Sequence, residues 1–533
     1  MDRGTRRSST VSGLDIHSQL LESGLMTPQS TARVSAATLA RRLGPELPDV
    51  TGPAYRVLAH RIRSAVLDGR LAVTSGLPSE RDLSAQLRVS RTTVAAAYSL
   101  LRDDGWLDSR RGSGSRLRLP GPDNSNGAAN RTANGTEGGF GPAPVFGYPG
   151  SADDEIDLSV ASLSAPAGAL QRIAALAVAE LPAYAAGSGY APFGLPVLRE
   201  AIANYYSEAG LPTSAEQILV TNGGQHAFTL VLQELSVPGD RVMIECPTYP
   251  VALDAIRAAR RLPGPVGLPG PGQGEAASAP WDADLIAATM RQTAPRLAYL
   301  IPDFQNPTGA LMDEGTRRRI VTAARASNTI LLIDETFRDM PFPGHAPLPP
   351  RVGSFDDGHH VLTLGSLSKS VWGGLRIGWV RGAPAVIRRL AAARSLTDMS
   401  GPVLEQLLAA HFLADPTDWL DQQRRRLADG ATLLTAALAD IRPEWIVSRP
   451  QGGAFLWVAL PGPFATELAR CAPAVGVRIT PGPRFGPDGT MESYLRLPFT
   501  QPADRLITGV RRLSSVADRA AAAHRSDVPG WLT

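Results

Sequence analysis

Between residues 120 and 152 the chain reads PGPDNSNGAANRTANGTEGGFGPAPVFGYPGSA, a run of glycine, asparagine, proline and alanine with almost no core-forming pattern. Such a segment cannot pass through a packed interior, so it separates two folding units. As a flexible coil its ends would stand about 30 Å apart by square-root scaling. The chain then divides into an N-terminal segment over 1–50, a small unit over 51–119, a linker over 120–152 and a body over 153–533. The N-terminal segment is polar and mostly disordered by composition, with a short apolar pattern at Val34, Leu39 and Leu43 suited to a flanking helix. Nothing before Met26 carries a structural signal, which leaves Met26 open as an alternative start.

Charge is distributed unevenly along this plan. The whole chain carries +3, but residues 51–119 hold 12 arginines against 6 acidic residues, a local +6 that leaves about −3 for the rest. A basic unit tied to a slightly acidic body points to a polyanion partner for the small unit. No apolar run approaches a membrane span and no apolar leader is present, so no membrane partner and a cytoplasmic location are expected. Cys246 and Cys471 are too few for a disulfide framework and have no metal-ligand spacing, so they read as structural thiols and no metal is expected.

In the small unit Tyr55, Leu58, Ala59, Ile62, Ala65 and Val66 fall on one helical face that ends near Gly69. Ser79 caps a second helix with Leu83 and Leu87 inward, and Ser90 caps a third that buries Val94, Ala97, Tyr98 and Leu101. Residues 106–110 and 115–119 read as two strands about the turn Gly112-Ser113-Gly114. Three helices and a hairpin make a winged helix-turn-helix. The segment from Leu77 to Leu117 resembles the GntR class of bacterial DNA-binding domains over its whole length. The resemblance implies double-stranded operator or promoter DNA as partner. Arg91, Thr92 and Thr93 at the start of the third helix would meet bases or phosphates, and Arg81, Arg110 and Arg111 the backbone.

The body alternates helical patterns with short apolar runs, QILVTNGG, RVMIECPTY, RLAYLIPDF, TILLIDET and HHVLTLGSLSK, each ending in polar or glycine residues. Buried strands of a mostly parallel α/β sheet have this form, with their C-terminal ends lining a ligand crevice. One residue there stands out: Lys369 is the only lysine among 53 basic side chains. Guanidinium stays protonated, whereas an ε-amine can lose its proton and attack a carbonyl.

The strand ends around Lys369 combine into a pyridoxal phosphate site. Gly223, Gly224 and Gln225 open a helix after a strand, where free N–H groups can hold a phosphate. Ser366 and Ser368 add hydroxyls and Arg376 a guanidinium. Asp334 ends a strand, where a carboxylate keeps a pyridine nitrogen protonated, and Asn306 is suited to a phenolic oxygen. In order, GGQ, ECPTY, NPTG, DET, SLSK and GLRIGW resemble the class I/II aminotransferases of fold type I across some 370 residues. That resemblance implies that Tyr249 stacks on the cofactor, that Tyr190 reaches the phosphate across a homodimer interface, and that Arg496 pairs with the carboxylate of an amino-compound ligand.

One departure bears on activity. The family carries a tyrosine two or three residues after the aspartate, and here those positions are Thr336 and Phe337. Phenylalanine cannot donate a hydrogen bond, so cofactor binding is expected with weak or vestigial transamination. A GntR-type winged helix joined to an aminotransferase-like body is the arrangement of the MocR/GabR-type transcription regulators, which implies a regulator sensing pyridoxal phosphate or an amino compound. The competing reading is a working aminotransferase with an autoregulatory DNA-binding domain.

Overall fold

The computed structural model describes residues 33–43, 54–67, 71, 75–103, 106–110, 114–117, 154–271 and 280–527. The predicted linker, Arg111 and the turn at Gly112-Ser113 lie outside the described residues.

The amino-terminal unit has helices at Ala36–Leu43, Ala54–Leu67, Glu80–Leu87 and Arg91–Asp103, followed by β1 (Leu107–Arg110) paired antiparallel with β2 (Gly114–Leu117). Its local signals act as caps. Ser79 Oγ accepts the Asp82 N–H at 3.2 Å, and Ser90 Oγ accepts the Thr93 N–H at 3.0 Å. Between these two helices Arg88 takes the left-handed conformation (φ 53°), which turns the chain sharply. Leu58, Ile62, Val94, Ala97, Tyr98 and Leu101 form the core, and the Tyr98 hydroxyl donates to Pro78 O at 3.1 Å inside it. That core reaches back past residue 51, because the helix Ala36–Leu43 lays Leu39 and Leu43 onto it.

The body begins with β3 (Ile156–Leu158) and continues into a seven-stranded sheet of β4 (Ile218–Thr221), β5 (Arg241–Cys246), β6 (Leu262–Gly267), β7 (Leu297–Leu300), β8 (Ile330–Asp334), β9 (Val361–Ser366) and β10 (Gly378–Arg381). The spatial order is β4-β10-β9-β8-β7-β5-β6, and only β10 runs antiparallel to its neighbours. The strand period of two sorts side chains onto two helical layers. Leu331 and Ile333 of β8 pack with Ile286, Met290 and Ile320, while Leu332 packs with Phe228, Val231 and Ile256. All seven strands but β10 point the same way, so the runs read from sequence end at one edge.

A second sheet was not legible in the sequence. It holds β11 (Ile446–Val447), β12 (Phe455–Ala459), β13 (Val477–Pro481) and β14 (Tyr494–Pro498) in the order β11-β12-β14-β13-β3. Its pairings are antiparallel except for β13 with β3, where Val477 stands opposite Ile156. The helices Thr417–Ile441 and Ala503–Asp527 cover it through Leu427, Leu434, Leu506 and Val510. No described helix is long and apolar enough to cross a membrane.

Candidate functional site: a cavity at the strand ends

The C-terminal ends of β4, β8 and β9 open onto a cavity of about 640 Å³, lined among others by Gly224, Asn306, Asp334, Ser366, Lys369 and Arg496. That volume falls within the range of small-molecule sites, roughly 300–1,000 Å³.

A backbone cradle forms one wall. Gly223 has φ +87° and precedes the helix Gly224–Leu235, whose first N–H groups have no partner within the helix. Arg376 lies against this turn, its Nη2 donating to Asn222 O at 2.9 Å. A Cβ on Gly223 would stand 2.5 Å from that Nη2. Gly378, at the start of β10, pairs with both Thr221 and Ser366, and a Cβ there would lie 2.5 Å from the Gly223 carbonyl carbon and 2.6 Å from the Gly224 nitrogen. Gly378→Ala is therefore expected to push the cradle open. Overpacking of about 1–3 kcal/mol, if borne by the bound state, corresponds to roughly five- to 150-fold weaker cofactor binding. Titration of the variant with pyridoxal phosphate, followed by absorbance, checks this.

Ser366 is buried and accepts the Ser368 N–H at 3.2 Å. Both serines line the cavity with Gln225, whose buried Oε1 has no partner among the described residues. Three residues on, Lys369 is half-buried and its Nζ donates to Ala161 O at 2.6 Å. Burial, then the positive charge of Arg496, push its amine down to about 8, and Asp334 opposes them. An amine in that range has a neutral, nucleophilic fraction near physiological pH far larger than an ordinary lysine's.

Asp334 is held from both sides: Oδ2 accepts the Tyr299 hydroxyl at 2.7 Å and Oδ1 accepts the Thr336 N–H at 2.9 Å. Tyr299 is the functional neighbour that sequence reasoning missed. It comes from β7, next to β8, and is braced edge-on by Phe228 with ring centres 4.9 Å apart. Tyr249, at the start of the helix Pro250–Ala258, lines the same space, and burial, then the Asp334 charge, push its hydroxyl up to about 12.

Asn306 is buried, and its Oδ1 accepts Arg496 Nη1 at 3.4 Å. Arg496, on β14, donates from Nη2 to Ser159 O and lies near two rings, 5.0 Å from Phe485 and 5.6 Å from Phe455. Its buried Nε has no partner among the described residues, a donor that an acidic ligand group can satisfy. Burial lowers its guanidinium to about 10, which still leaves it charged at neutral pH.

The positions that depart from the family pattern do not replace the missing tyrosine. Phe337 is buried, edge-on to Phe455 at 5.2 Å. Thr336 Oγ1 lies 3.6 Å from where a Cβ of Gly224 would stand, beside the backbone cradle. Tyr190 is not brought to the cavity; it is 63% exposed on the loop before the helix Pro196–Glu208. In the amino-terminal unit Arg81 and Arg91 project to solvent, with Arg91 Nε 3.6 Å from Glu80. The hydroxyls of Thr92 and Thr93 turn back to Ser90 Oγ at 2.7 and 2.8 Å. Arg110 ends β1. Among the described residues Asp356, Asp357 and His360 bring possible metal ligands together, but Arg325 stands 3.6 and 3.8 Å from the two carboxylates and balances them.

Glycine cradle, hydroxyls, neutralisable amine, braced carboxylate and free guanidinium donor together fit pyridoxal phosphate and an amino acid. Residues 154–512 match the model of aminotransferase class I and II, and residues 54–117 that of the bacterial regulatory proteins of the gntR family. The chain is 28% identical over 491 residues to the uncharacterized HTH-type transcriptional regulator YisV of Bacillus subtilis, covering 88% of this chain and 96% of that one. It is 26% identical over 461 residues to the probable rhizopine catabolism regulatory protein MocR of Rhizobium meliloti, covering 81% and 87%. The α-aminoadipate aminotransferase LysN of Thermus thermophilus, solved with N-(5'-phosphopyridoxyl)-L-leucine, superposes with TM-score 0.62 and 29% identity over 70% of this chain and 94% of that one. The chain thus belongs to the class I and II aminotransferase family, in the MocR-type arrangement that sets a gntR-family DNA-binding region before the pyridoxal phosphate fold.

Proposed function

We propose that the protein is a pyridoxal-phosphate-dependent transcription regulator whose body reads an amino compound and whose amino-terminal unit, over 51–119, binds operator DNA. The observation that carries this reading is the pairing, in one chain, of a helix-turn-helix unit with a cavity in which Lys369, Asp334 and Arg496 converge. Bound there, pyridoxal phosphate supplies an aldehyde for amines and an electron-withdrawing ring. The chain's own residues do the rest. Gly223, Gly224, Ser366 and Arg376 hold the phosphate, Asp334 keeps the ring nitrogen protonated, and Arg496 takes the ligand carboxylate. Tyr190, exposed and outside its own cavity, serves the partner's site in a homodimer. The test is retention of neighbouring promoter DNA by the purified protein with and without cofactor and with a panel of amino acids. DNA affinity indifferent to all of them would refute the sensor reading.

Within the DNA-binding unit, Arg91→Ala is expected to cost about 1–3 kcal/mol of discrimination. Arg81→Ala should instead weaken binding to all sequences alike and reduce the salt slope by about one. Titrations of operator and random DNA at several salt concentrations separate the two, and an Arg91→Ala protein with unchanged affinity for both would rule out this docking.

A working transaminase is the second reading, favoured by the intact set of Lys369, Asp334, Asn306 and Arg496. With Thr336 and Phe337 where the family has a tyrosine, the phenolic oxygen keeps Asn306 but loses a second donor. Spectral change on adding the right amine, with slow or no net turnover to a keto-acid acceptor, is therefore expected. Rapid multiple turnover would promote the transaminase reading.

A further inference from the structure

Behind the cavity, one buried carboxylate has no role in the site as described so far. Glu245, the penultimate residue of β5, is 1% exposed. Its hydrogen-bond partners are neutral. Oε1 accepts Trp281 Nε1–H at 2.7 Å, Oε2 accepts the Ile301 N–H at 3.2 Å, and Oε2 also accepts Gln305 Nε2–H at 3.1 Å. Burying a carboxyl away from any cation is costly, and burial pushes this one up to about 8. Substituting an apolar side chain would avoid that cost.

The partners indicate what the carboxylate does there. Gln305 immediately precedes Asn306, and its Nε2 also donates to Pro247 O at 2.8 Å, two residues before Tyr249. Its Oε1 accepts both the N–H and the hydroxyl of Thr308, at 3.0 and 2.8 Å. The amide of Gln305 therefore has one permitted orientation, nitrogen toward Glu245 and Pro247 and oxygen toward Thr308. The Glu245 Oε2 acceptor, together with Pro247 O and the Thr308 N–H, enforces it.

We propose that Glu245 is a positioning residue for the cofactor: through Gln305 it locks the turn carrying Asn306 against the segment carrying Tyr249, and so sets how the ring sits between them. This rests on the reading that the cavity takes pyridoxal phosphate. Glu245→Leu removes the acceptor that faces the Gln305 amide, while Gln305→Met keeps the volume and removes both its donor to Glu245 and Pro247 and its acceptor for Thr308.

The test loads parent, both single variants and the double variant with pyridoxal phosphate and records visible circular dichroism, which reports ring orientation, with borohydride mapping of the attachment site. Each single variant is expected to hold the cofactor at Lys369 about tenfold more weakly, with an altered dichroic band. The double variant is expected to be no worse than Gln305→Met alone, because Glu245 reaches the two loops through Gln305. Trp281→Phe, which removes only the donor remote from the two loops, should leave the band unchanged. An unaltered band in Glu245→Leu or Gln305→Met, or strictly additive losses, would overturn the proposal. Should one variant fail to fold, the band of the other decides. A parent protein that fixes no cofactor at all would instead strike the underlying reading, and the proposal with it.

Discussion

Borohydride treatment of Lys369→Ala in the presence of pyridoxal phosphate is expected to fix no cofactor to any side chain, whereas the parent fixes it on the Lys369 peptide alone. The effect should be complete, because no second lysine exists to substitute. Peptide mapping checks it, and label on another side chain would reject the assignment. Attachment should also depend on pH in a characteristic way. Burial and Arg496 bring the Lys369 amine down to about 8 from its ordinary value near 10.5. The neutral, nucleophilic form therefore accumulates as pH rises through about 8 and is nearly complete where an ordinary lysine is still almost fully charged. The rate of cofactor attachment should rise through that window and level off above it; a rise continuing past pH 10 would mean the amine is not perturbed.

The second large effect concerns stability beneath the site. Asp303 is fully buried, and its Oδ1 accepts Arg317 Nη2 at 2.7 Å and Arg338 Nη1 at 2.9 Å. Beside them Arg351 pairs with Glu335, the residue after Asp334, and lies 4.8 and 4.6 Å from the Tyr205 and Tyr206 rings. Asp303→Ala would leave two buried guanidinium groups without their shared counter-charge. The expected cost is about 3–5 kcal/mol, a large fraction of an ordinary domain's stability. It should appear as an earlier urea midpoint for the body, and a loss under about 1 kcal/mol would show that the carbonyls of Met312 and Pro350, which accept from Arg317, and of Pro349, which accepts from Arg338, already satisfy the two guanidinium groups. Burial acts to raise the Asp303 carboxyl, but Arg317 and Arg338 outweigh it and hold the group below its ordinary value. Its contribution is thus complete above the unfolded carboxylate pKa of about 4 and is lost as pH falls through the lower folded value.

Much of this molecule was legible along the chain because the relevant physics is local. The Ser79 and Ser90 caps, the buried face of Val94, Ala97, Tyr98 and Leu101, and the glycines opening the helix at Gly224 depend on residues a few positions apart. Strand runs ending in Asp334, Ser366 and Lys369 announced a site because parallel strands joined by helices bring their C-terminal ends to one edge. The singularity of Lys369 needed no structure at all.

Other features could emerge only from folding, since they join segments that local pattern cannot pair. Ser159 and Arg496 meet across 337 positions because β3 joins the second sheet beside β13. Asp334 gains Tyr299 through strand register, and Gln305 is oriented by Glu245 from 60 positions away. Periodicity states which face a residue occupies and caps state where an element begins, but which strands become neighbours is decided by the closing of long loops around a common core. For this chain, the family was written in short motifs, whereas the contacts that orient Asp334, Asn306 and Arg496 exist only once distant strands are brought side by side.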